Sequence, residues 1–218
     1  NDARARAALI SNVRYDIKVD ITDADEFTTV STVEFDSKAG ETHFDLVAAG
    51  FEATLDGDET GRELSLSDGA RVLAVVAHPD DMEYGASAAV AKWAEDGIEV
   101  AYLLLTHGEH GIAGGDPVQV REIRAKEQRR ACDIVGAGEL EMLDFTDGLL
   151  EHTLELRKAI AGKIRTFKPT VVLTQDWSVV APWGLNQADH RVAGMAAVDA
   201  ARDAGNEFLF PELGPRHQ

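Results

Sequence analysis

Cysteine is almost missing: Cys132 stands alone in 218 residues, so no disulfide framework can staple the chain to itself. Its neighbours Ile134 and Val135 fall in a helical pattern, where a lone cysteine acts as a small buried hydrophobe. Long apolar runs are missing too. None approaches the roughly 20 residues that cross a bilayer, and no early stretch resembles a secretion signal; the chain as given reads as cytoplasmic. Positive charge is scarce, with 21 Lys and Arg against 39 Asp and Glu, a formal net charge of -18. That balance argues against a nucleic-acid backbone or an anionic membrane as partner. No repeat of fixed period is evident. The hydrophobic fraction of 44% and the length suffice for a sizeable core in one large domain, or in a domain with an appendage.

What is present changes character along the chain. In the first quarter Val13, Tyr15, Ile17, Val19 and Ile21 alternate with polar residues, and Phe27 to Phe35 does so more loosely. This is the pattern of half-buried antiparallel strands. Asp56-Gly57-Asp58-Glu59-Thr60-Gly61 is a turn-rich, charged stretch that serves either as a domain boundary or as a solvated hairpin. From Arg71 short apolar strands alternate with amphipathic helices. Strands are predicted over 72–77, 100–105, 140–145 and 170–174, each followed by a helix: 86–96, about 118–135, 152–167 and 189–204. Four such units predict a parallel sheet covered on both faces.

The first of these strands ends in His78-Pro79-Asp80-Asp81. Proline cannot donate to a strand ladder and disfavours helix in the residue before it, so the chain leaves the sheet just as imidazole and carboxylates arrive. The strand-to-helix loops of an open α/β sheet are where ligands bind. Histidine and aspartate three apart can offer a nitrogen and an oxygen to one metal ion, a mixed pair that suits zinc. A catalytic zinc needs about three protein ligands. The stretch Asn186-Gln187-Ala188-Asp189-His190-Arg191 follows another short strand and precedes another helix, which places a second histidine on the same sheet edge.

These words resemble those of the LmbE-like (PIG-L) zinc-dependent N-acetylglucosaminyl deacetylases. Ala77-His78-Pro79-Asp80-Asp81 and Asp189-His190-Arg191 carry the likeness, with Arg124-Ala125-Lys126-Glu127 and Phe145-Thr146-Asp147-Gly148 between them in order, over about residues 70–213. The resemblance implies a Rossmann-like fold, zinc as cofactor held by His78, Asp81 and His190, and Asp80 as general base. Zinc brings the pKa of a bound water to about 7, and a carboxylate outside the coordination shell can take the remaining proton. Asp189 is expected to orient an imidazole. The chain departs from the family at Gln187, where a histidine usually precedes the late ligand by three residues. A glutamine amide donates a hydrogen bond but carries no charge; either the rate falls on the order of 10²-fold, or His107 or His110 compensates. Relatives generally continue beyond the segment matched by Phe210-Pro211-Glu212-Leu213, so a carboxy-terminal portion is expected to be missing.

Residues 1–56 loosely resemble the opening strands of the aminopeptidase N family, in Arg6-Ala7-Ala8-Leu9-Ile10-Ser11, Tyr15-Asp16-Ile17 and Phe44-Asp45-Leu46-Val47. The His-Glu-x-x-His signature of those enzymes is absent from all 218 residues, so peptidase activity is not carried over. The glycines at 108, 111, 114 and 115 are spaced wrongly for either nucleotide fingerprint and read as a mobile lid. Arg124 and His107 are candidate substrate contacts. Trp177 and Trp183 offer faces on which a sugar ring could stack. The expected architecture is therefore α/β: a Rossmann-like, mostly parallel sheet with helices on both faces (61–218), plus an N-terminal antiparallel β segment (1–60). The expected activity is removal of acetyl from a small N-acetylated amino sugar, with no nucleic acid and no membrane span; a homo-oligomer is compatible with the sequence. The alternative is a catalytically weakened sugar-binding module on the same fold. A nucleotide-binding Rossmann domain is disfavoured, because carboxylates stand where a pyrophosphate would want glycines and backbone donors.

Overall fold

A computed structural model describes residues 10–20, 28–37, 54–55, 58–59, 66, 69–181 and 184–218. The chain divides into two compact units, Asn1–Leu46 and Val47–Gln218. In the first, β1 (Ile10–Asp20) and β2 (Thr28–Ser37) pair antiparallel, with an irregularity between Ser11 and Arg14. This is the strand type that the alternation predicts. The remainder of the aminopeptidase-like words, at 1–9 and 38–53, lies outside the described residues. The second unit begins with a short hairpin of β3 (Thr54–Leu55) and β4 (Asp58–Glu59), at the charged stretch read above as boundary or hairpin.

The body of the second unit is a four-stranded parallel sheet in the order β7-β6-β5-β8, formed by β5 (Arg71–Val76), β6 (Glu99–Leu104), β7 (Glu139–Met142) and β8 (Val171–Thr174). The helices between them are α1 (Asp81–Tyr84), α2 (Ser87–Glu95), α3 (Pro117–Val135), α4 (Leu154–Phe167) and α5 (Ala188–Ala204). Alternate residues of the central strands enter two separate cores. Leu73, Val75, Leu103 and Leu105 pack with Leu156, Ile160 and Ile164 of α4 and with Ala193, Ala196, Ala197 and Ala200 of α5. Val72, Ala74, Val76, Val100, Tyr102 and Leu104 face the other way, onto Val90 and Trp93 of α2 and Cys132 of α3. A period of two that is buried on both sides is what makes these strands read as continuous apolar runs.

Local chemistry sets the element ends. Asp116 caps α3 by accepting from the Val118 and Gln119 N–H groups, with Pro117 in the first turn where no N–H is needed. Thr153 caps α4 through the Leu156 N–H, so that helix starts after the predicted position 152. Strand β7 stops at Met142, short of the predicted 145. Among the described residues it is an edge strand paired with β6 alone, which runs out at Leu104; Leu143 and Phe145 still pack against the core. Three small elements were not expected: the single turn α1, a hairpin of β9 (Val180–Ala181) with β10 (Gly184–Leu185), and a 3-10 turn at Pro211–Leu213. Cys132 is fully buried, as its helical context implies. Among the described residues no helix is long and apolar enough to cross a membrane.

The strand order decides where a ligand can sit. From β5 the chain moves outward through β6 to β7, then returns to the opposite side of β5 to lay down β8. The connections leaving β5 and β8 thus diverge to opposite faces and leave a crevice beyond their carboxyl ends. Both the His78 loop and the chain leading to His190 start there.

Candidate metal centre

A cleft of about 660 Å³ lies at this crevice, with His78, Asp80, Asp81, Arg124, Asp147, Gln187 and His190 in its wall. Met82, Tyr84 and Leu173 supply apolar surface, and Gln175 and Asn186 add polar groups. The volume and the mixed lining are those of a small-molecule site.

His78, Asp81 and His190 each present a ligand atom, and these atoms lie within 4.8 Å of one another. A second trio, His78 with Asp147 and Asp189, meets the same criterion. Hydrogen bonding separates them. Asp189, 1% exposed, accepts from the Gly148 N–H at 2.7 Å and the Leu150 N–H at 3.2 Å, and its Oδ2 lies 3.2 Å from His78 Nε2. Asp147 Oδ1 is 3.1 Å from the same nitrogen, while its Oδ2 accepts the His110 N–H at 2.8 Å. Acceptors on both sides place a proton on Nε2, so Nδ1 is the nitrogen that can turn a lone pair to a cation. Nδ1 faces Asp81 Oδ2 at 3.6 Å, and His190 Nε2 lies 3.1 Å from Asp81 Oδ1. In the first trio a cation could replace the protons shared among the three side chains. The second is a carboxylate cradle that fixes the His78 ring.

Charge in the cluster is finely divided. Burial disfavours a charged His78, yet hydrogen bonds to Asp189 and Asp81 and the nearby charges of Asp81 and Asp147 push its pKa up to about 10. Burial also works against ionised Asp81, but its bonds with His190 and His78 outweigh that and hold the carboxyl at about 2. Without a cation this pocket of carboxylates recruits protons instead; a bound cation would replace them. Two imidazole nitrogens and one carboxylate oxygen are a donor set suited to zinc, with fewer protein ligands than a closed structural site.

Asp80 differs from Asp81 in every respect that matters to chemistry. Its backbone is left-handed at φ 82, its side chain is 51% exposed, and it belongs to neither trio. Arg124 Nη2 donates to its Oδ2 at 2.5 Å and to the Pro79 carbonyl at 2.6 Å, while Nη1 donates to the Gly108 carbonyl. Burial and the charge of Asp81 raise the Asp80 pKa, and Arg124 pulls against them; the net direction is upward. Gly108 and Gly111 make room for this guanidinium, because a Cβ on either would fall 2.8 or 2.2 Å from Arg124 Nη1. Close packing against an arginine thus accounts for two of the four glycines in the loop read as a lid.

Gln187 caps α5 without using its side chain for the purpose, and it lines the cleft. Gly194 lets α5 approach β8 closely, since a Cβ there would lie 2.4 Å from the Gln175 carbonyl oxygen. His107 and His110 do not line the cleft. His107 Nε2 meets Arg121 and Asp144, and His110 Nδ1 meets the Asp147 carbonyl. Other partners engage these rings, although Gly111 of the same loop and Asp147 beyond β7 do line the cleft. Trp177 is half-exposed and is also not part of the wall, and Trp183 lies outside the described residues. Two further residues stand out. Asp147, quoted above only within Phe145-Thr146-Asp147-Gly148, is buried against His78. Gln128, 3% exposed, accepts the Asp80 N–H; its place four residues after Arg124 was the available signal.

The family model described as PIG-L, GlcNAc-PI de-N-acetylase, matches residues 73–201. The diacetylchitobiose deacetylase of Thermococcus kodakarensis is 37% identical over 144 residues, which cover 64% of this chain and 52% of that protein. The chain therefore spans about half the length of that relative. Among solved structures, the N,N'-diacetylchitobiose deacetylase of Pyrococcus horikoshii superposes with a TM-score of 0.62 at 25% identity, covering 67% of this chain and 54% of that one. A 4-carboxy-2-hydroxymuconate hydratase from Pseudomonas putida superposes with a TM-score of 0.56 at 27% identity, over 63% of this chain and 58% of that one.

Proposed function

We propose that this chain, which belongs to the PIG-L family of de-N-acetylases, is a zinc-dependent amidohydrolase that releases acetate from an N-acetylglucosamine-type amino sugar or glycoconjugate, with residues 61–218 as its catalytic domain. One observation carries the reading: His78, Asp81 and His190 converge within 4.8 Å at the sheet's switch point while the adjacent Asp80 carboxylate is left outside the cluster. Zinc held by those three residues would supply Lewis acidity toward the acetyl carbonyl and lower the pKa of a water to about 7.

The protein's own groups do the rest. Asp80 takes a proton from the attacking water as the oxygen–carbon bond forms, then returns it to the sugar nitrogen as the carbon–nitrogen bond breaks. A pKa above the ordinary carboxylate value suits that exchange better than the depressed one of Asp81. The Gln187 amide donates to the carbonyl oxygen as it gains charge. Asp189 and Asp147 hold His78 in one tautomer, so its lone pair stays aimed into the cleft. Met82, Tyr84 and Leu173 offer apolar wall to the sugar's carbon–hydrogen faces, and the polar groups opposite accept its hydroxyls.

The test is an acetate-release screen with zinc-loaded protein over N-acetylglucosamine, diacetylchitobiose and N-acetylglucosaminyl-inositol, with 4-carboxy-2-hydroxymuconate as control for hydration. Acetate and free amine in equal amounts from at least one sugar are expected. Hydration of the muconate without amide cleavage would overturn the reading. A second reading, a sugar-binding module without turnover, is favoured by Gln187 in place of a chargeable histidine; saturable sugar binding with no acetate would establish it.

A further inference from the structure

We propose that Gln128, together with Arg124 one helical turn before it on α3, is a positioning residue that holds Asp80 in its left-handed backbone geometry beside the cleft. The inference rests on the reading of Asp80 as the general base. Asp80 needs such a holder. A left-handed conformation at φ 82 is unfavourable for a residue with a side chain, and on that turn depends whether the carboxylate meets the cleft.

Gln128 grips this turn at two points. Its Oε1 accepts the Asp80 N–H at 3.0 Å and its Nε2 donates to Glu83 Oε1 at 3.1 Å. An ionised glutamate can only accept and a backbone N–H can only donate, so a single orientation of the amide satisfies both. Burial at 3% exposure keeps water from substituting for it. Arg124 grips from the same helix face, since residues four apart are neighbours; it holds the Pro79 carbonyl, the Asp80 carboxylate and the Gly108 carbonyl. Backbone N–H, preceding carbonyl and side-chain carboxylate of the one residue are thus all tied to α3. Asp81, the neighbouring candidate ligand, is held instead by the His78 N–H at 2.7 Å and by the imidazoles. The two adjacent aspartates have separate supports.

The test uses Gln128→Met, which keeps the length and removes both hydrogen bonds, and Arg124→Lys, which keeps the charge and removes the fork. With the N-acetylglucosaminide that releases acetate fastest in the screen above, kcat is expected to fall about 10-fold or more with KM within about twofold, the mark of a displaced reacting group. In an Asp80→Asn background the same substitutions should cost nothing further, because they act through Asp80. A rise in KM with kcat unchanged, or full additivity with Asp80→Asn, would overturn the assignment. Amide hydrogen exchange supplies a readout free of catalysis: in metal-free protein Gln128→Met should strip protection from the peptide over 79–84 and leave that of β5 and β6 intact. Unchanged protection over 79–84 would overturn the clamp even in an active enzyme, whereas wild-type protein that releases no acetate but shows the exchange pattern would count against the general-base reading alone.

Discussion

Replacing Asp189 by asparagine isolates the part of the site that holds His78 without touching a candidate ligand. The carboxylate receives three donors, the Gly148 and Leu150 N–H groups and His78 Nε2–H, in a position only 1% exposed. Asparagine has the same shape but one acceptor oxygen. If that oxygen keeps Gly148 and His78, the new NH2 faces the Leu150 N–H and both donors go unpaired, at about 1–3 kcal/mol for the buried N–H. The two surviving bonds lose their charge assistance, for about 1 kcal/mol more. Metal-free Asp189→Asn should thus be less stable by about 2–4 kcal/mol, read as a shift of the urea midpoint. Zinc binding reports separately on the ring. With His78 less firmly held in one tautomer, affinity should drop about 10- to 100-fold, measured by competition with a chromophoric chelator. An affinity within twofold of wild type would refute the claim that Asp189 aims the imidazole.

Other perturbations probe different links. Asp80→Asn should lower kcat by about 10² or more while zinc stoichiometry stays at wild type; unimpaired acetate release would remove Asp80 as base. Gln187→His is expected to preserve or raise kcat, because it adds a chargeable donor at a cleft-lining position whose side chain caps nothing, and a large loss in steady-state kinetics would show glutamine to be the adapted residue. Arg165, 3% exposed, donates to the carbonyls of Asp203, Ala204, Asn206, Leu209, Phe210 and Gly214; Arg165→Met should cost about 3 kcal/mol or more in urea denaturation by stranding several of them, and a change under about 1 kcal/mol would contradict its role as staple of the tail. Lys163 is buried, but its pairing with Glu139 and Glu141 outweighs burial and raises its pKa above 10.5. A raised value in the fold means a contribution fully present below pH 10.5 and lost as pH climbs through the folded value, so Lys163→Met should flatten the alkaline fall of the urea midpoint.

The fold was legible wherever burial on both faces imposed a pattern. The apolar runs 72–77 and 100–105 locate β5 and β6 within one residue, and the helical periods locate α3 and α5 equally well. Strand β7 was drawn too long because composition does not say where a partner strand ends. The candidate ligands were legible because strand ends carry unusual chemistry: a histidine and two aspartates after a buried run have no packing reason to be there. His107 shows the limit of that logic. It also follows a strand end, but its ring is engaged by Arg121 and Asp144, a pairing that no local pattern encodes. Gln128 was missed, and Asp147 was given no role, for a related reason, since a helical glutamine and an aspartate before glycine each have an ordinary local explanation. Only their long-range partners, Asp80 and His78, give them a role.

The coordination shell itself can be observed. X-ray absorption at the zinc edge on protein loaded with one equivalent should show nitrogen and oxygen neighbours at about 2.0–2.1 Å with the scattering of two imidazoles, falling to one in His190→Ala. A shell with fewer than two imidazoles, or a spectrum that His190→Ala leaves unchanged, would contradict the assignment of His78, Asp81 and His190 to a single ion.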